Sequence, residues 1–282
     1  MFYDICFSGG GLRIISFIGV IKFLIQNNYI HLKLIKNLYG VSAGSILALK
    51  IILGFSIEDI ESFVYNIDYK LFIPNTNSEQ LIFNYGMDDQ HKIHTLLKTL
   101  FISKNIPYNI TFKQLFDITN INLTIGVTNI TKKIPEYWNH INKPHLPVIT
   151  AIKASCCIPI VFKPLQINHE FFIDGAIFDN FPIHITNDNT LGIMINNKHK
   201  TGFNDFIDYI FEILQLYITS RETHIYNNYK NNKNIIVINS IIDILDFNIT
   251  KQLINKEIYN GFNTANLFIK KYYNKIKRRN SF

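Results

Sequence analysis

Three short stretches carry residue types whose spacing could break an ester bond. The first is LYGVSAGSILALK, residues 38–50, where Ser42 stands between Gly40 and Gly44. The apolar residues before it read as a short buried strand and those after it as a helix. A serine on the tight turn between them adopts a strained backbone. Glycines on either side remove side chains that would meet the neighbouring strand or helix. A helix N-terminus then lies beneath the hydroxyl, and its free N–H groups and partial positive charge favour an oxyanion. The same five residues also read as a helix-capping serine between ordinary turn glycines.

The second stretch is SGGGLR, residues 8–13, lying between a strand and a helix. Consecutive glycines let a backbone approach a ligand closely, and their N–H groups make an anion site. That site could cradle a phosphate or stabilise an oxyanion. A Walker loop needs GxxxxGK[ST], which is absent, and a dinucleotide fingerprint needs a third glycine where Ile14 stands. The second strand also ends without the acidic residue that a ribose requires. Gly9, Gly10, Gly11 and Ser42 instead make one coherent site for acyl transfer.

The third is IDGAIFDNFP, residues 173–182, in which Asp174 ends an apolar strand and Gly175 turns the chain. Such a carboxylate is presented at the C-terminal edge of a sheet, where α/β sites lie, although aspartate is also a common turn former. His140, His145, His169, His184, His199 and His224 have no distinctive context. An aspartate is a weaker base than histidine by about 3.5 kcal/mol from the reference pKa values. Desolvation recovers part of that gap, and an oxyanion-hole donor contributes about 3–4 kcal/mol. A Ser–Asp dyad is therefore chemically reasonable.

The elements that must position these residues form a βαβ pattern. Residues 3–8 read as a strand, 12–28 as a helix apolar almost all round, 34–40 as the second strand and 45–55 as the helix after the elbow. Further on, 56–67 and 88–101 look helical and 122–131 is a strand, which 133–140 continues or leaves. Residues 146–159 are a helix ending at Pro159, and 171–174 a strand. A strand at 190–196, an amphipathic helix at 205–224, a strand at 234–240 and a helix at 251–276 complete the pattern. This alternation predicts an α/β fold around a parallel sheet.

The chain has 282 residues, 48% of them hydrophobic, enough for a large core in one domain. The two most apolar helices are broken by Lys22 and Lys50 and so read as buried core rather than membrane spans. The N-terminus lacks the basic region of a secretory leader. Cys6, Cys156 and Cys157 have no metal spacing and predict a reduced, intracellular protein without disulfides. The formal net charge is +7, densest in IKKYYNKIKRRN at 269–280. That run reads as a solvated helix end, as a contact for an anionic membrane, or, lacking any nucleic-acid motif, least readily as a nucleic-acid site.

SGGGLR, GVSAGS, ASCCIPIVFKP and DGAIFDNFP occur in the order and approximate spacing of the patatin-like phospholipases, and the chain resembles that family over residues 4–195. The resemblance implies a three-layer α/β/α fold with a central, mostly parallel sheet. It makes Ser42 the nucleophile and Asp174 the base, and gives the Gly9, Gly10 and Gly11 amides the oxyanion hole. Arg13 matches a basic residue that binds substrate phosphate or steadies the loop. The stretch 154–164 resembles the acyl-pocket segment, and Asn180 and Pro182 the turn after the aspartate. Ile14 departs from the family's usual glycine. Implied with these are a phospholipid or other acyl-lipid substrate, docking on an anionic membrane surface, no cofactor and no metal. Residues 196–282 would complete a single domain. The alternatives are a transacylase, a neutral-lipid lipase, or a silent lipid-binding protein on the same fold.

Overall fold

A computed structural model describes residues 1–69, 85–196, 206–243 and 247–279, with backbone alone at 207 and 273–279. The apolar stretch LFIP at 71–74, His199 and Phe282 lie outside the described residues, as do the side chains of Tyr273, Lys275, Lys277, Arg278 and Arg279.

Strand β1 (Asp4–Phe7) leads through a glycine turn into helix α1 (Ile15–Gln26). Strand β2 (Asn37–Val41) runs straight into α2 (Ala43–Ile52), followed by α3 (Ile57–Asn66). A short strand β3 (Gly86–Asp88) precedes α4 (His91–Ile102) and α5 (Phe112–Thr119). Strands β4 (Asn122–Asn129) and β5 (Ile134–Trp138) form a hairpin ahead of α6 (Val148–Ser155). Three short strands follow: β6 (Ile160–Phe162), β7 (Leu165–Ile167) and β8 (Glu170–Asp174), then the single turn α7 (Ala176–Asp179). The remaining elements are β9 (Leu191–Asn196), α8 (Phe206–Tyr229), β10 (Asn234–Asn239) and α9 (Lys251–Arg279).

The main sheet has the order β10-β9-β1-β2-β4-β8-β7, with β5 also paired to β4. From β10 through β4 every pairing is parallel, whereas β4–β5, β4–β8 and β8–β7 are antiparallel. The parallel strands are apolar on both faces, as a sheet covered on both sides requires. Ile5, Phe7, Leu38, Ile193 and Ile236 pack into the larger core with α1, α2 and α9. The alternate residues Cys6, Tyr39, Met194 and Ile235 face the other way, against Phe181, Ile183 and, from α8, Ile225. Helices on both faces give the three-layer α/β/α arrangement.

The last helix closes on the first with almost no gap. A Cβ on Gly261 would lie 1.8 Å from the carbonyl oxygen of Ser16, and one on Gly19 would lie 1.8 Å from that of Ile258. From that crossing α9 runs alongside α1 and away from the glycine turn, past Phe262 on Phe23 to Tyr272 on Phe2, just ahead of β1. Lys270 and Lys271 are exposed at this far end. Tyr272 lies against Phe2 and Phe268 rather than facing outward. No helix among the described residues is long and apolar enough to cross a membrane.

Candidate active site

Ser42 occupies the step between β2 and α2 at φ 51, ψ −131, a left-handed backbone that costs a non-glycine residue about 1–3 kcal/mol. The turn is tight enough to demand both glycines. A Cβ on Gly40 would lie 2.7 Å from Cα of Ser45, and one on Gly44 would lie 2.4 Å from the carbonyl oxygen of Ser8. Ser42 makes no side-chain capping bond to α2. Its hydroxyl donates instead to Asp174 Oδ2 at 2.6 Å.

Strand register brings the two together. Val41 of β2 pairs with Gly126 of β4, and Asp174 pairs with the next residue, Val127. Asp174 thus ends its strand at the C-terminal edge of the parallel strands, level with the elbow, although β8 itself runs antiparallel to β4. Asp174 Oδ1 accepts the Ala176 amide at 2.8 Å. The carboxyl is 2% exposed. Burial raises its pKa to about 7, against the lowering effect of the Ser42 and Ala176 bonds.

Ser155, within the stretch read as an acyl-pocket segment, instead anchors the elbow from behind. Its hydroxyl accepts the Ser42 amide at 2.8 Å and donates to the Gly126 carbonyl at 2.7 Å. Among the described residues the Ser42 and Asp174 side chains bond each other and the Ala176 amide, not a histidine. His140 stacks on Phe116, His184 faces Asp179 and Tyr137, and His224 bonds Asn228.

The glycine turn lies against the serine, with a Cβ on Gly9 falling 3.0 Å from that of Ser42. Gly9 departs from the expectation for an oxyanion donor. Its N–H is already committed to Asn180, at 3.0 Å from Oδ1 and 3.2 Å from the carbonyl. Among the described residues the Gly10 and Gly11 amides find no acceptor. Gly11 has φ 56 and opens the helical turn leading into α1.

Arg13 lies beneath this turn, 7% exposed, with Nε donating to the Gly10 carbonyl at 3.0 Å. Burial lowers its pKa to about 10, and Glu222 opposes that effect. Asn180 Nδ2 donates to Glu222 Oε1 at 2.5 Å. Glu222, 3% exposed, is raised to about 7 by burial. Gly9, Asn180 and Glu222 thus form a continuous chain from the turn to α8. A glutamate on an amphipathic helix gives no sequence signal for such a role.

Two cavities meet at Ser42. One, about 180 Å³, is lined by apolar groups from α1, α2, α3, α4 and the 156–162 segment, with Ala43, Ile46 and Lys50 on its α2 side. The other, about 50 Å³, lies between Asp174, the glycine turn and Phe211, Leu214 and Ile218 of α8. The arrangement offers a hydroxyl bonded to a base, free amides within the same cavity and an apolar recess beside them. Among the described residues no cluster of three or more His, Cys, Asp or Glu is placed to hold a metal. Asp88 and Asp89 accept the amides of Gln90 and His91 at the start of α4.

The sequence model of the family described as patatin-like phospholipase matches residues 5–187. A protein of Invertebrate iridescent virus 6 named "Probable lipid hydrolase 463L" is 28% identical over 246 residues, covering 84% of this chain and 78% of that one. Among solved structures, VipD from Legionella pneumophila is similar with a TM-score of 0.64 at 16% identity, over 96% of this chain and 67% of that chain. The type III effector ExoU is similar with a TM-score of 0.52 at 15% identity, over 95% of this chain and 53% of that chain.

Proposed function

The chain belongs to the patatin-like phospholipase family, and from that membership we propose that it is a lipid acyl hydrolase working through a Ser42–Asp174 dyad on membrane glycerophospholipids. The observation that carries the reading is the 2.6 Å bond from the Ser42 hydroxyl to a fully buried carboxylate. With its pKa raised to about 7, Asp174 is as strong a base as a histidine at its reference value of about 6.5.

In the first half-reaction Ser42 Oγ bonds to the ester carbonyl carbon while its proton passes to Asp174 Oδ2. The oxyanion that forms lies against the Gly10 and Gly11 amides, and Gly9 holds the turn in place through Asn180. When the tetrahedral species collapses, the ester C–O bond breaks and Asp174 returns the proton to the leaving alkoxide. An acyl-serine remains. In the second half-reaction a water gives its proton to Asp174 as its oxygen bonds to the acyl carbon. The Ser42 C–O bond then breaks, Ser42 Oγ regains the proton, and the fatty acid departs. Arg13 takes the loop-steadying role, since its Nε is used on Gly10.

Docking is the remaining part of the proposal. The face of α8 opposite the site exposes Phe206, Tyr209, Ile213, Leu216 and Tyr217 at helical spacing. Its inward Phe211, Leu214 and Ile218 line the cavity beside the dyad. An apolar stripe on the element that covers the site suits insertion into a lipid surface. Lys270 and Lys271, by contrast, lie beyond the opposite end of the parallel strands.

The test is incubation with a panel of labelled phospholipids, with released fatty acids scored by mass, beside Ser42→Ala and a fluorophosphonate probe. The reading requires fatty-acid release and probe labelling, both absent in Ser42→Ala. Labelling that survives in Ser42→Ala removes the dyad.

A further inference from the structure

The apolar pocket beside Ser42 ends on a charge. Ala43, Ile46 and Lys50, spaced i, i+3 and i+7, form the stripe of α2 that lines it. Lys50 is 4% exposed, and its Nζ lies 3.1 Å from the centroid of the Phe63 ring. Among the described residues it has neither a hydrogen bond nor an ion pair. Burial pushes its pKa down to about 7, and no anionic neighbour among the described residues holds it up. Val64, Ile67, Ile93 and Phe162, which line the same pocket, are apolar.

A pocket meant for methyl-ended chains gains nothing from this residue. Leucine or methionine would fill the same stripe without burying an amine, which is costly when unpaired. The Phe63 ring supplies part of the compensation through its negative face. A carboxylate arriving along the pocket would supply the rest, as a charge-assisted hydrogen bond in a low-dielectric site.

We propose that this pocket selects acyl chains bearing a carboxylate at the end remote from the ester, with Lys50 binding that terminal group. The inference rests on the acyl-hydrolase reading and narrows its substrate class. Chain length follows from the helix. The rise from Ser42 to Lys50 is about 12 Å, and lysine side chains lean back toward the helix N-terminus, so the chain is of medium length, roughly six to nine carbons at the reach of tetrahedral carbon bonds. Ser42 and the Gly10 and Gly11 amides lie at one end of the chain and the ammonium at the other.

The test compares the nitrophenyl monoesters of octanoic and octanedioic acid on wild type, Lys50→Met and Lys50→Arg. Wild type should favour the carboxyl-ended ester in kcat/KM by tenfold or more. Lys50→Met should invert that preference, raising turnover of the methyl-ended ester while lowering the other, and Lys50→Arg should retain it. Equal losses on both esters in Lys50→Met, or an unchanged ratio, would assign Lys50 to packing alone and overturn the proposal. A second arm needs no turnover: octanedioate should raise the Tm of wild type by several degrees more than octanoate does, and Lys50→Met should lose the difference. If wild type hydrolyses neither ester nor any phospholipid of the panel but shows the selective Tm shift, the hydrolase reading falls and the pocket assignment stands. No selectivity in either arm removes the assignment.

Discussion

In the proposed mechanism Asp174 sets both the pH response and part of the stability of this chain. Its raised pKa, about 7, means that the basic form becomes populated as pH rises through neutrality. kcat/KM is therefore expected to climb between about pH 6 and 8 and then level off, measured on a soluble short-chain ester. The same shift works against folding. A carboxyl whose folded pKa exceeds its unfolded one favours the folded state fully only below about pH 4, and that contribution is lost as pH rises to about 7. The loss has a ceiling of about 4 kcal/mol. Asp174→Asn should thus remove nearly all activity and, at pH 8, unfold at higher denaturant than wild type. Its margin over wild type should shrink toward pH 5. An unchanged margin across that range would remove the titration from the argument. At this scale the sequence was informative wherever local chain chemistry dictates the residue. Gly40, Gly44 and Gly175 mark turns, and Ser42 and Asp174 sit on them. Ser155 and Glu222 were not legible, because their roles come from residues distant in sequence: Gly126 is 29 positions from Ser155, and Asn180 is 42 from Glu222.

At the scale of elements, periodicity locates most helices and the parallel strands within a few residues. It gives no hint of antiparallel β8, because direction is a tertiary property. Strands β3 and β6, three residues each, pair into a separate two-stranded sheet and are too short to carry a pattern. Helix α8 is found where the amphipathic reading puts it, but its outward side is also apolar, so its apolar residues are not confined to one face. That side carries a prediction: Ile213→Glu with Leu216→Glu should lower turnover on phospholipid vesicles at least tenfold and leave a soluble short-chain ester within twofold. Equal loss on both substrates would mean that the stripe supports the fold instead. The crossing of α1 and α9 carries another. Gly261→Ala places a methyl group against the Ser16 backbone, which cannot move as a flexible side chain could. Overpacking of this kind costs about 1–3 kcal/mol, read as a lower midpoint in urea. Wild-type stability in Gly261→Ala would mean that the two helices separate easily.

For the molecule as a whole, the family match ends at residue 187, but the structure keeps building well past that point. β9 flanks β1 in the sheet, β10 flanks β9, and α9 packs on α1. Residues 196–282 are thus expected to complete one domain rather than to form an accessory. A chain cut after Asn196 should fail to fold cooperatively by circular dichroism and thermal melting, and should not label with a fluorophosphonate. A folded, labelled fragment would show that the last third is dispensable.

The tie from Gly9 through Asn180 to Glu222 has a further consequence during translation. The glycine turn leaves the ribosome before Ser42, Ser42 before Asp174, and all three before Glu222. Yet the turn is fastened to α8 by a residue made much later. A nascent chain stalled before Glu222 should therefore carry every reacting group and remain unreactive toward the probe, so that lipid-cleaving capacity arises only once α8 has been made.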